Sequence, residues 1–463
     1  MIRIGALRIP GCTLLLLFLD AASVGVGLLV AIGLRLGHRD AIIHYLHGPY
    51  IVVRFALVAL VFGIALYYSD LYDRSNFSSG PEISRGLLQA LGSACLFLAL
   101  VYYWDETISL GRGIAAISGP TVFLLMLCSR LVLNKMSGYS PRHVLILGTG
   151  ATGISAVREI LVRPELNLKV EGFLDESGKN IGKALVNPGI IGAVQEVASI
   201  VHRRQIDQII VSLTERRGTM PVAQLLQLKF AGIAVEDAHS FMERITGRIH
   251  LVQLSPSWLI LSEGFWKSAF FYAVKHSFDI IVALVALVLA LPFMLLTAIA
   301  VWLETGGPVL FRQERVGLRG RTFEILKFRS MFLNAEEGGP VWAAQDDNRI
   351  TKVGRFIRKF RLDELPQIFN VLKGEMSLVG PRPERPHFYE MLAQNIPYFA
   401  LRYSVRPGIT GWAQVKYQYG ASVDESKTKL EYDFFYIKHM SLVLDLAILF
   451  ETLKVMFYGR GAK

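Results

Sequence analysis

GRFIRKFRLDELPQIFNVLKGEMSLVGPRP, residues Gly354–Pro383, organises the C-terminal part of this chain. A basic helical run leads to the adjacent carboxylates Asp363 and Glu364, and Pro366 follows, which helices tolerate only near their first turn. We therefore predict that the pair lies at a helix start, where unpaired N–H groups and the helix dipole favour negative charge. The alternative on spacing alone is a capped amphipathic helix, with Asp363 as its N-cap and the arginines on a solvated face.

The residue types around this pair are those that bind and transfer phosphoryl groups. Neighbouring side chains on a helix point about 100° apart, so one carboxylate can hold a hard cation while the other acts as a nucleophile. Arginines before the pair, and Arg382 in the Gly-Pro-Arg-Pro turn after it, are suited to clamp phosphate oxygens. A metal, a cationic clamp and a positioned attacker are what phosphoryl transfer requires.

The chain from about Phe271 to its C-terminus resembles the bacterial polyprenyl-phosphate hexose-1-phosphate transferases, the large monotopic phosphoglycosyl transferases of exopolysaccharide or O-antigen synthesis. The resemblance rests on six ordered blocks: Lys275–Asp279 opening an apolar segment, GGPVLFRQERVG (Gly306–Gly317), FEILKFRSM (Phe323–Met331), LDELPQIFNVLKGEMSLVGPRP (Leu362–Pro383), VRPGITGWAQV (Val405–Val415) and YDFFYIKHMSLVLDL (Tyr432–Leu446). Six blocks in this order over roughly 190 residues form a specific signal, which one short motif would not.

The resemblance implies a reaction and two catalytic residues. A sugar-1-phosphate passes from a UDP-sugar to polyprenyl (undecaprenyl) phosphate, and UMP is released. Asp363 is then the nucleophile that forms an aspartyl-phosphosugar intermediate, and Glu364 holds Mg²⁺. The implied partners are the two substrates, the lipid bilayer and the downstream glycosyltransferases that extend the product.

Further residues match family positions. Arg358 and Arg382 match positions near the phosphates, and Lys275 matches a basic position at the membrane-helix entry, where it would attract the lipid phosphate. Asp445 matches an acidic position of underived role, and Asp433 is a nearby candidate. For Lys275 and Asp445, an interfacial lysine and a helix-surface acid remain the alternative. Arg406 is either structural or a nucleotide contact. The loop after Gln414 does not indicate which sugar is used.

Composition bounds the class of protein. A chain of 463 residues is too long for one ordinary hydrophobic core, so two or more domains are expected. A hydrophobic content of 52% and a mean hydropathy of +0.41 indicate membrane segments. The net charge of +11 suits an anionic membrane surface and a diphosphate substrate, whereas the aromatic–basic modules of nucleic-acid binders are missing from the sequence. The three cysteines lie in apolar runs without paired or metal-ligand spacing, which indicates no disulfide framework.

Residues 1–138 are predicted to form four transmembrane helices. The apolar segments lie at about Gly11–Leu36, Tyr50–Tyr68, Leu87–Trp104 and Ile114–Leu133, each long enough to cross a bilayer. Asp20 and Arg54 fall inside these spans, where charges usually face the bundle interior or reach the interface. Basic residues after the fourth span, Arg130, Lys135 and Arg142, favour cytoplasmic ends for this bundle, and therefore a catalytic domain on the cytoplasmic face of a bacterial inner membrane.

Residues 139–246 are predicted to form a Rossmann-like accessory domain. An apolar strand, Val144–Leu147, directly precedes Gly148, Gly150 and Gly153 in the spacing of a dinucleotide fingerprint, and Asp175 follows at the distance of a ribose-binding acid. Either the domain binds NAD or another nucleotide, or it is structural or regulatory, as in large members of the resembled family.

The predicted fold class is therefore a membrane α-helical bundle, an α/β Rossmann-like domain, and an α/β monotopic catalytic domain. Residues 247–270 are a linker and 271–463 the catalytic domain. A fifth apolar segment, at about 277–303, has basic clusters after it that should stay inside, so we expect a re-entrant helix broken at Pro292. The alternative is a tilted span kinked at the proline.

Two other functions compete with the transferase. Membrane-bound, NAD-dependent nucleotide-sugar dehydratases or epimerases share the layout of four spans and a Rossmann domain, but they use a Tyr-x-x-x-Lys pair, and none of the 17 tyrosines has a lysine four residues on. A non-catalytic polysaccharide-assembly scaffold is the second rival, and the intact DELPQ and GPRP blocks argue against it. A homodimer remains open.

Overall fold

The computed structural model describes residues 2–4, 7–9, 11–69, 71–72, 80–136, 141–213, 219–251, 256–333, 335, 347–417 and 422–458. It divides into two compact units. The first comprises Met1–Arg3 with Arg8–Glu236, and the second comprises Ile4–Leu7 with Asp237–Lys463. Residues 418–421 of the loop after Gln414 lie outside the described residues.

Two short N-terminal strands, whose residues are divided between the two units, precede the helical bundle of the first unit. The elements are β1 Ile2–Ile4, β2 Leu7–Ile9, α1 Gly11–Leu36, α2 Arg39–Leu46, α3 Ile51–Tyr68, α4 Gly80–Trp104, a 3₁₀ turn Glu106–Ile108 and α5 Arg112–Met136. Helices α1, α3, α4 and α5 are each long and apolar enough to cross a membrane, as predicted. Their mutual packing buries a large aliphatic cluster that includes Leu28, Ile32, Leu66 and Ile83. The protein is therefore an integral membrane protein.

A buried ion pair ties α1 to α5. Arg130 donates from Nη1 to Asp20 Oδ1 at 2.6 Å and from Nη2 to Asp20 Oδ2 at 3.0 Å, and the Arg130 side chain has no exposed surface. Asp20 faces the bundle interior, as expected for a charge within a span. The use of Arg130 as a flanking loop charge was wrong, because it neutralises Asp20 inside the bundle. Of the three basic residues after the fourth span, only Lys135 and Arg142 remain as flanking charges that favour cytoplasmic ends.

The rest of the first unit is an α/β sheet with helices. Its elements are β3 Arg142–Leu147, α6 Ala151–Val162, a 3₁₀ turn Pro164–Leu166, β4 Leu168–Asp175, β5 Ile190–Ala193, a 3₁₀ turn Val194–Glu196, α7 Val197–Arg204, β6 Gln208–Val211, α8 Val222–Phe230 and β7 Ala234–Asp237. The strand order is β5-β4-β3-β6-β7, and β3 pairs in parallel with both β4 and β6. Strands β3 and β6 read as continuous apolar runs because both faces of a parallel sheet are covered.

The second unit holds the predicted site. Its elements are α9 Ala238–Thr246, α10 Pro256–Leu261, α11 Ala269–Thr305, β8 Leu310–Val316, a 3₁₀ turn Leu318–Gly320, β9 Thr322–Phe328, α12 Lys352–Lys359, a 3₁₀ turn Leu362–Glu364, α13 Gln367–Leu372, β10 Ser377–Val379, α14 Pro386–Asn395, a 3₁₀ helix Phe399–Ser404, β11 Gly408–Thr410, α15 Trp412–Lys416, α16 Val423–His439 and α17 Leu442–Tyr458. Strands β8 and β9 form an antiparallel hairpin, and β10 pairs in parallel with β11. Their common core includes Val371, Met376, Phe434 and Ile448.

Helix α11 is continuous over 37 residues and contains Pro292 without an interruption of its helical assignment. A straight helix of this length would measure roughly 55 Å, well beyond the hydrocarbon core of a bilayer. The predicted break of the helix at Pro292 is wrong, because the helical assignment runs through the proline. Most of its central apolar side chains are exposed, among them Leu284, Val288, Leu289, Leu291, Leu295, Leu296 and Leu303.

Candidate active site

The two carboxylates lie in a tight turn between two helices. Asp363 and Glu364 belong to the 3₁₀ turn that follows α12, and α13 begins directly after Pro366. Arg361, at φ 53°, adopts the left-handed conformation that reverses the chain ahead of the turn. The pair thus lies at a helix start, as predicted. The capped-helix alternative is wrong, because Pro366 occupies the N-cap position of α13 and no side chain caps it.

Glu364 is surrounded by cations. Its Oε1 accepts from Arg382 Nη2 at 2.6 Å and from Lys327 Nζ at 3.3 Å, while Oε2 lies 3.8 Å from Arg361 Nη1. Burial alone would raise the pKa of Glu364, but Arg382 and Lys327 outweigh it and hold that pKa well below its usual range. Glu364 is therefore a permanent anion.

Asp363 has the opposite environment although it is the next residue. It is 8% exposed, and its carboxylate makes no hydrogen bond or ion pair with any other residue that the structure describes. Burial, together with the negative charge of Glu364, raises the pKa of Asp363 to about 6. One carboxylate is held by cations and the other is left unpartnered, so the two residues are equipped for different tasks.

Arg358 supplies further positive charge from α12. Its guanidinium is half-buried and makes no hydrogen bond or ion pair within the described part of the chain, yet its charge lowers the pKa of Asp363. The start of α12 is fixed by Thr351, whose Oγ1 accepts from Gly354 N at 2.8 Å, and by Glu304 of α11, whose carboxylate accepts from Lys352 N and Val353 N. Arg358 is therefore presented by a well-capped helix beside the carboxylate pair.

The Gly-Pro-Arg-Pro turn brings Arg382 to the site from the opposite direction. It follows β10, whose partner strand β11 begins after Arg406 and Pro407. A Cβ at Gly380 would lie 2.5 Å from Arg406 O, so only glycine allows these two segments to approach. The Arg406 side chain is half-buried and has no hydrogen bond or ion pair with other described residues. Its nucleotide contact stays a prediction.

Lys275 and Asp445 are brought together, but inside the protein. Lys275 Nζ lies 2.7 Å from Asp445 Oδ2, and the Tyr436 hydroxyl lies 2.7 Å from Asp445 Oδ1 and 2.9 Å from Val379 O. Asp279 accepts from Ser377 Oγ at 2.7 Å. The alternative of an interfacial lysine and a surface acid is wrong, because both are buried. The network ties α11 and α17 to β10, which leads into the Gly-Pro-Arg-Pro turn.

Lys327 and Arg402 belong to this site but were not among the predicted site residues, whereas Asp433 was a predicted acidic candidate. Lys327 and Arg361 contact Glu364 directly, and Asp433 is the ion-pair partner of Arg402, with Arg402 Nη2 2.8 Å from Asp433 Oδ2. The only sequence signal for Lys327 was its place in the FEILKFRSM block, near the end of β9. Nothing in the sequence pairs Arg402 with Asp433, which are 31 positions apart and meet only in the tertiary fold.

The predicted nucleotide-binding glycines form the turn between β3 and α6. Gly148 has φ +101°, Gly150 is the N-cap of α6, and Gly153 N donates to Ser212 Oγ at 2.7 Å. Asp175, at the end of β4, accepts from Ser177 Oγ at 2.7 Å within its own loop. The glycines therefore form a strand–turn–helix connection, as predicted, while a nucleotide at this turn stays a prediction.

Comparison with known families matches both parts of the chain. Residues 270–459 match the family described as bacterial sugar transferase, and residues 68–228 match a family described as CoA-binding domain. The first match contains every residue of the candidate active site described above.

Three relatives show how far the similarity extends. The chain is 44% identical over 239 residues, 52% of its length and 56% of the relative, to a UDP-N-acetylgalactosamine-undecaprenyl-phosphate N-acetylgalactosaminephosphotransferase of Aeromonas hydrophila. It is 32% identical to UDP-glucose:undecaprenyl-phosphate glucose-1-phosphate transferases of Klebsiella pneumoniae, over 332 residues, and of Escherichia coli (strain K12), over 336 residues. Both alignments cover 70% of the chain and 70% of the relative. The chain therefore belongs to the bacterial sugar transferase family, as an enzyme of the polyprenyl-phosphate hexose-1-phosphate transferase class.

Proposed function

We propose that this enzyme begins the synthesis of a bacterial exopolysaccharide or O-antigen by moving a sugar-1-phosphate from a UDP-sugar to undecaprenyl phosphate. The observation that supports the mechanism is that the neighbouring carboxylates Asp363 and Glu364 have opposite environments. Asp363 is buried and has no protein partner among the described residues, whereas Glu364 is neutralised by Arg382 and Lys327. An unpartnered carboxylate inside a cationic pocket is suited to attack a phosphorus atom.

In the first step, an Asp363 carboxylate oxygen attacks the phosphorus that bears the sugar. A new bond forms between that oxygen and phosphorus, and the bridging phosphorus–oxygen bond to the nucleotide breaks. UMP leaves with the bridging oxygen and its electron pair. Arg358 and Arg382 flank the carboxylates and would neutralise the charge that develops on the phosphate oxygens.

In the second step, a phosphate oxygen of undecaprenyl phosphate attacks the same phosphorus. The bond between phosphorus and Asp363 breaks, the carboxylate is restored, and the sugar remains on the lipid as a diphosphate. No net proton change is needed at Asp363, because it begins and ends the cycle as the same carboxylate. This agrees with a carboxylate that makes no hydrogen bond with any other described residue.

Glu364 is the residue that would hold a magnesium ion at this site. Mg²⁺ is usually held by one or two carboxylates together with substrate phosphates, and the described residues contain no group of three or more acidic, histidine or cysteine side chains that would form a complete protein site. Glu364 would hold the ion through Oε2, its less engaged oxygen. When bound, the ion would neutralise negative charge on the diphosphate and on the departing UMP.

We further propose that α11 is re-entrant and does not cross the bilayer. Near its start, Lys275 and Asp279 are bound to α17 and β10. At its end, Glu304 caps α12, and Arg329 donates to Thr305 O at 3.2 Å. Both ends are thus attached to one α/β domain, which cannot lie on two sides of a membrane. Exposed leucines in the middle of the helix would face lipid, with Pro292 as the site of bending.

Labelling of single cysteines tests this topology. In a variant without Cys12, Cys95 and Cys128, a cysteine at exposed Glu263 and one at exposed Arg312 flank α11. We expect an impermeant maleimide to label neither position in cells with a permeabilised outer membrane, and both after lysis. Labelling of only one of them in unlysed cells would show that α11 crosses the bilayer.

The donor sugar is tested with purified full-length protein, undecaprenyl phosphate and Mg²⁺. The relatives named above act on UDP-N-acetylgalactosamine or UDP-glucose, so the panel holds these two, UDP-galactose and UDP-N-acetylglucosamine. We expect UMP release with one of them, in equal amount to the lipid-linked sugar phosphate. Release of UDP in place of UMP, or no release with any donor by folded protein, would contradict the proposal.

The catalytic domain would lie on the cytoplasmic face of the inner membrane, where UDP-sugars are found, and would pass its product to downstream glycosyltransferases. The sheet that carries Gly148 and Asp175 would be a Rossmann-like accessory domain, either regulatory or occupied by a nucleotide such as NAD.

A further inference from the structure

The segment that carries Arg382 has no regular secondary structure, and it contains two prolines. Residues 381–385 belong to no helix or strand, and Pro381 and Pro383 have no N–H with which to donate. The position of the Arg382 side chain therefore depends on how the carbonyl groups of this segment are held.

Each carbonyl from Pro381 to Glu384 has a donor. Gly408 N donates to Pro381 O at 3.0 Å, and Val316 N donates to Glu384 O at 2.9 Å. The two carbonyls between them are bound by arginine side chains. Arg402 Nη2 donates to Arg382 O at 3.0 Å, and Arg315 Nη1 donates to Pro383 O at 3.1 Å.

Arg402 is buried and makes several further contacts. Its side chain is 4% exposed, and it is paired with Asp433 at 2.8 Å and with Glu384 at 3.7 Å. Its guanidinium carbon lies 5.1 Å from the Phe399 ring centroid and 5.6 Å from that of Tyr403. A planar guanidinium can make these contacts together, whereas the single ammonium of lysine cannot.

We infer that Arg402 is a positioning residue for the transferase reaction, which acts by holding the Arg382 backbone so that the Arg382 guanidinium stays on Glu364. Arg402 itself touches neither carboxylate of the pair. Its effect on the reaction passes through Arg382, whose Nη2 is 2.6 Å from Glu364 Oε1. This inference rests on the proposed function, since it assigns Arg382 to the phosphate site.

A double-mutant cycle on the full-length enzyme tests the inference. Arg402→Lys should lower kcat/KM for the UDP-sugar by roughly 10- to 100-fold, the usual cost of losing an outer residue that orients a reactive group. Arg382→Gln should show the same division of the loss between kcat and KM. The variant with both changes should be no worse than Arg382→Gln within about threefold, because the function of Arg402 is already lost.

A matched control and a second variant keep the result interpretable. Arg312→Lys, at an exposed arginine paired with exposed Glu324, should leave kcat/KM unchanged. Arg402→Met combined with Asp433→Asn removes both buried charges, a replacement that buried ion pairs often tolerate. This neutral variant should fold, as judged by its Tm, and should lose activity as Arg402→Lys does.

Three outcomes decide the matter. Equal activity of Arg382→Gln with and without Arg402→Lys supports the inference. Losses that multiply in the double variant, or wild-type activity in the neutral Arg402→Met variant, overturn it. If the wild-type enzyme releases UMP and the losses multiply, only the positioning role fails. The absence of UMP release by the wild type would instead contradict the proposed function.

Discussion

Asp363→Asn is expected to lower UMP release by roughly 10⁴-fold or more, the loss seen when a covalent nucleophile is removed from an active site. Asparagine has nearly the same shape but cannot form the phosphosugar intermediate. Asp363 has no described hydrogen bond or ion pair to lose, so the change should leave the fold intact. The measurement is the initial rate of UMP release, together with trapping of labelled sugar phosphate on the protein.

The same substitution should preserve or raise Tm at pH 8. Burial and Glu364 raise the pKa of Asp363 to about 6. A carboxyl group with a raised folded-state pKa contributes stability below its unfolded pKa, and this is lost as pH rises through 6. The neutral amide of asparagine avoids that loss. Asp424→Asn, at an exposed position of α16, serves as the control and should retain activity. Substantial activity or a protein adduct in Asp363→Asn would contradict the covalent mechanism.

Glu364→Gln is expected to impair both activity and stability. Without the Glu364 carboxylate, Arg382, Lys327 and Arg361 lose the anion that they contact. Removal of one partner from a buried ion pair costs about 3 kcal/mol, so Tm should fall by several degrees. Loss of the magnesium-holding group and of the Arg382 anchor should lower kcat by roughly 10²- to 10³-fold.

The contrast between the two variants is the sharpest test of the site. Glu390→Gln, on an exposed face of α14, is the matched control and should change neither rate nor Tm. If Glu364→Gln were as stable as the wild type, the cationic cluster would not depend on Glu364 for its charge balance. If Asp363→Asn were instead the destabilised variant, the assignment of roles to the two carboxylates would be reversed.

Much of the site was predictable from local sequence because its groups lie close together along the chain. Asp363, Glu364 and Arg358 fall within seven residues, and Pro366 limits where α13 can begin. The four apolar spans were equally predictable, because a bilayer requires a long apolar run in each helix. The interruption expected at Pro292 did not occur, because one proline removes only one backbone hydrogen bond and α11 packs on the catalytic core on both sides of it.

The sequence by itself determined the helical spans, the glycine turn after β3 and the chemical character of the Asp363–Glu364 pair, since each depends on neighbouring residues. Only the tertiary structure decided that Arg130 neutralises Asp20, that Lys275 is bound by Asp445, and that Arg402 holds the backbone of Arg382. These partners are separated by 110, 170 and 20 positions. Which charges become buried together depends on how whole helices and strands pack, and no local pattern in the chain records that choice.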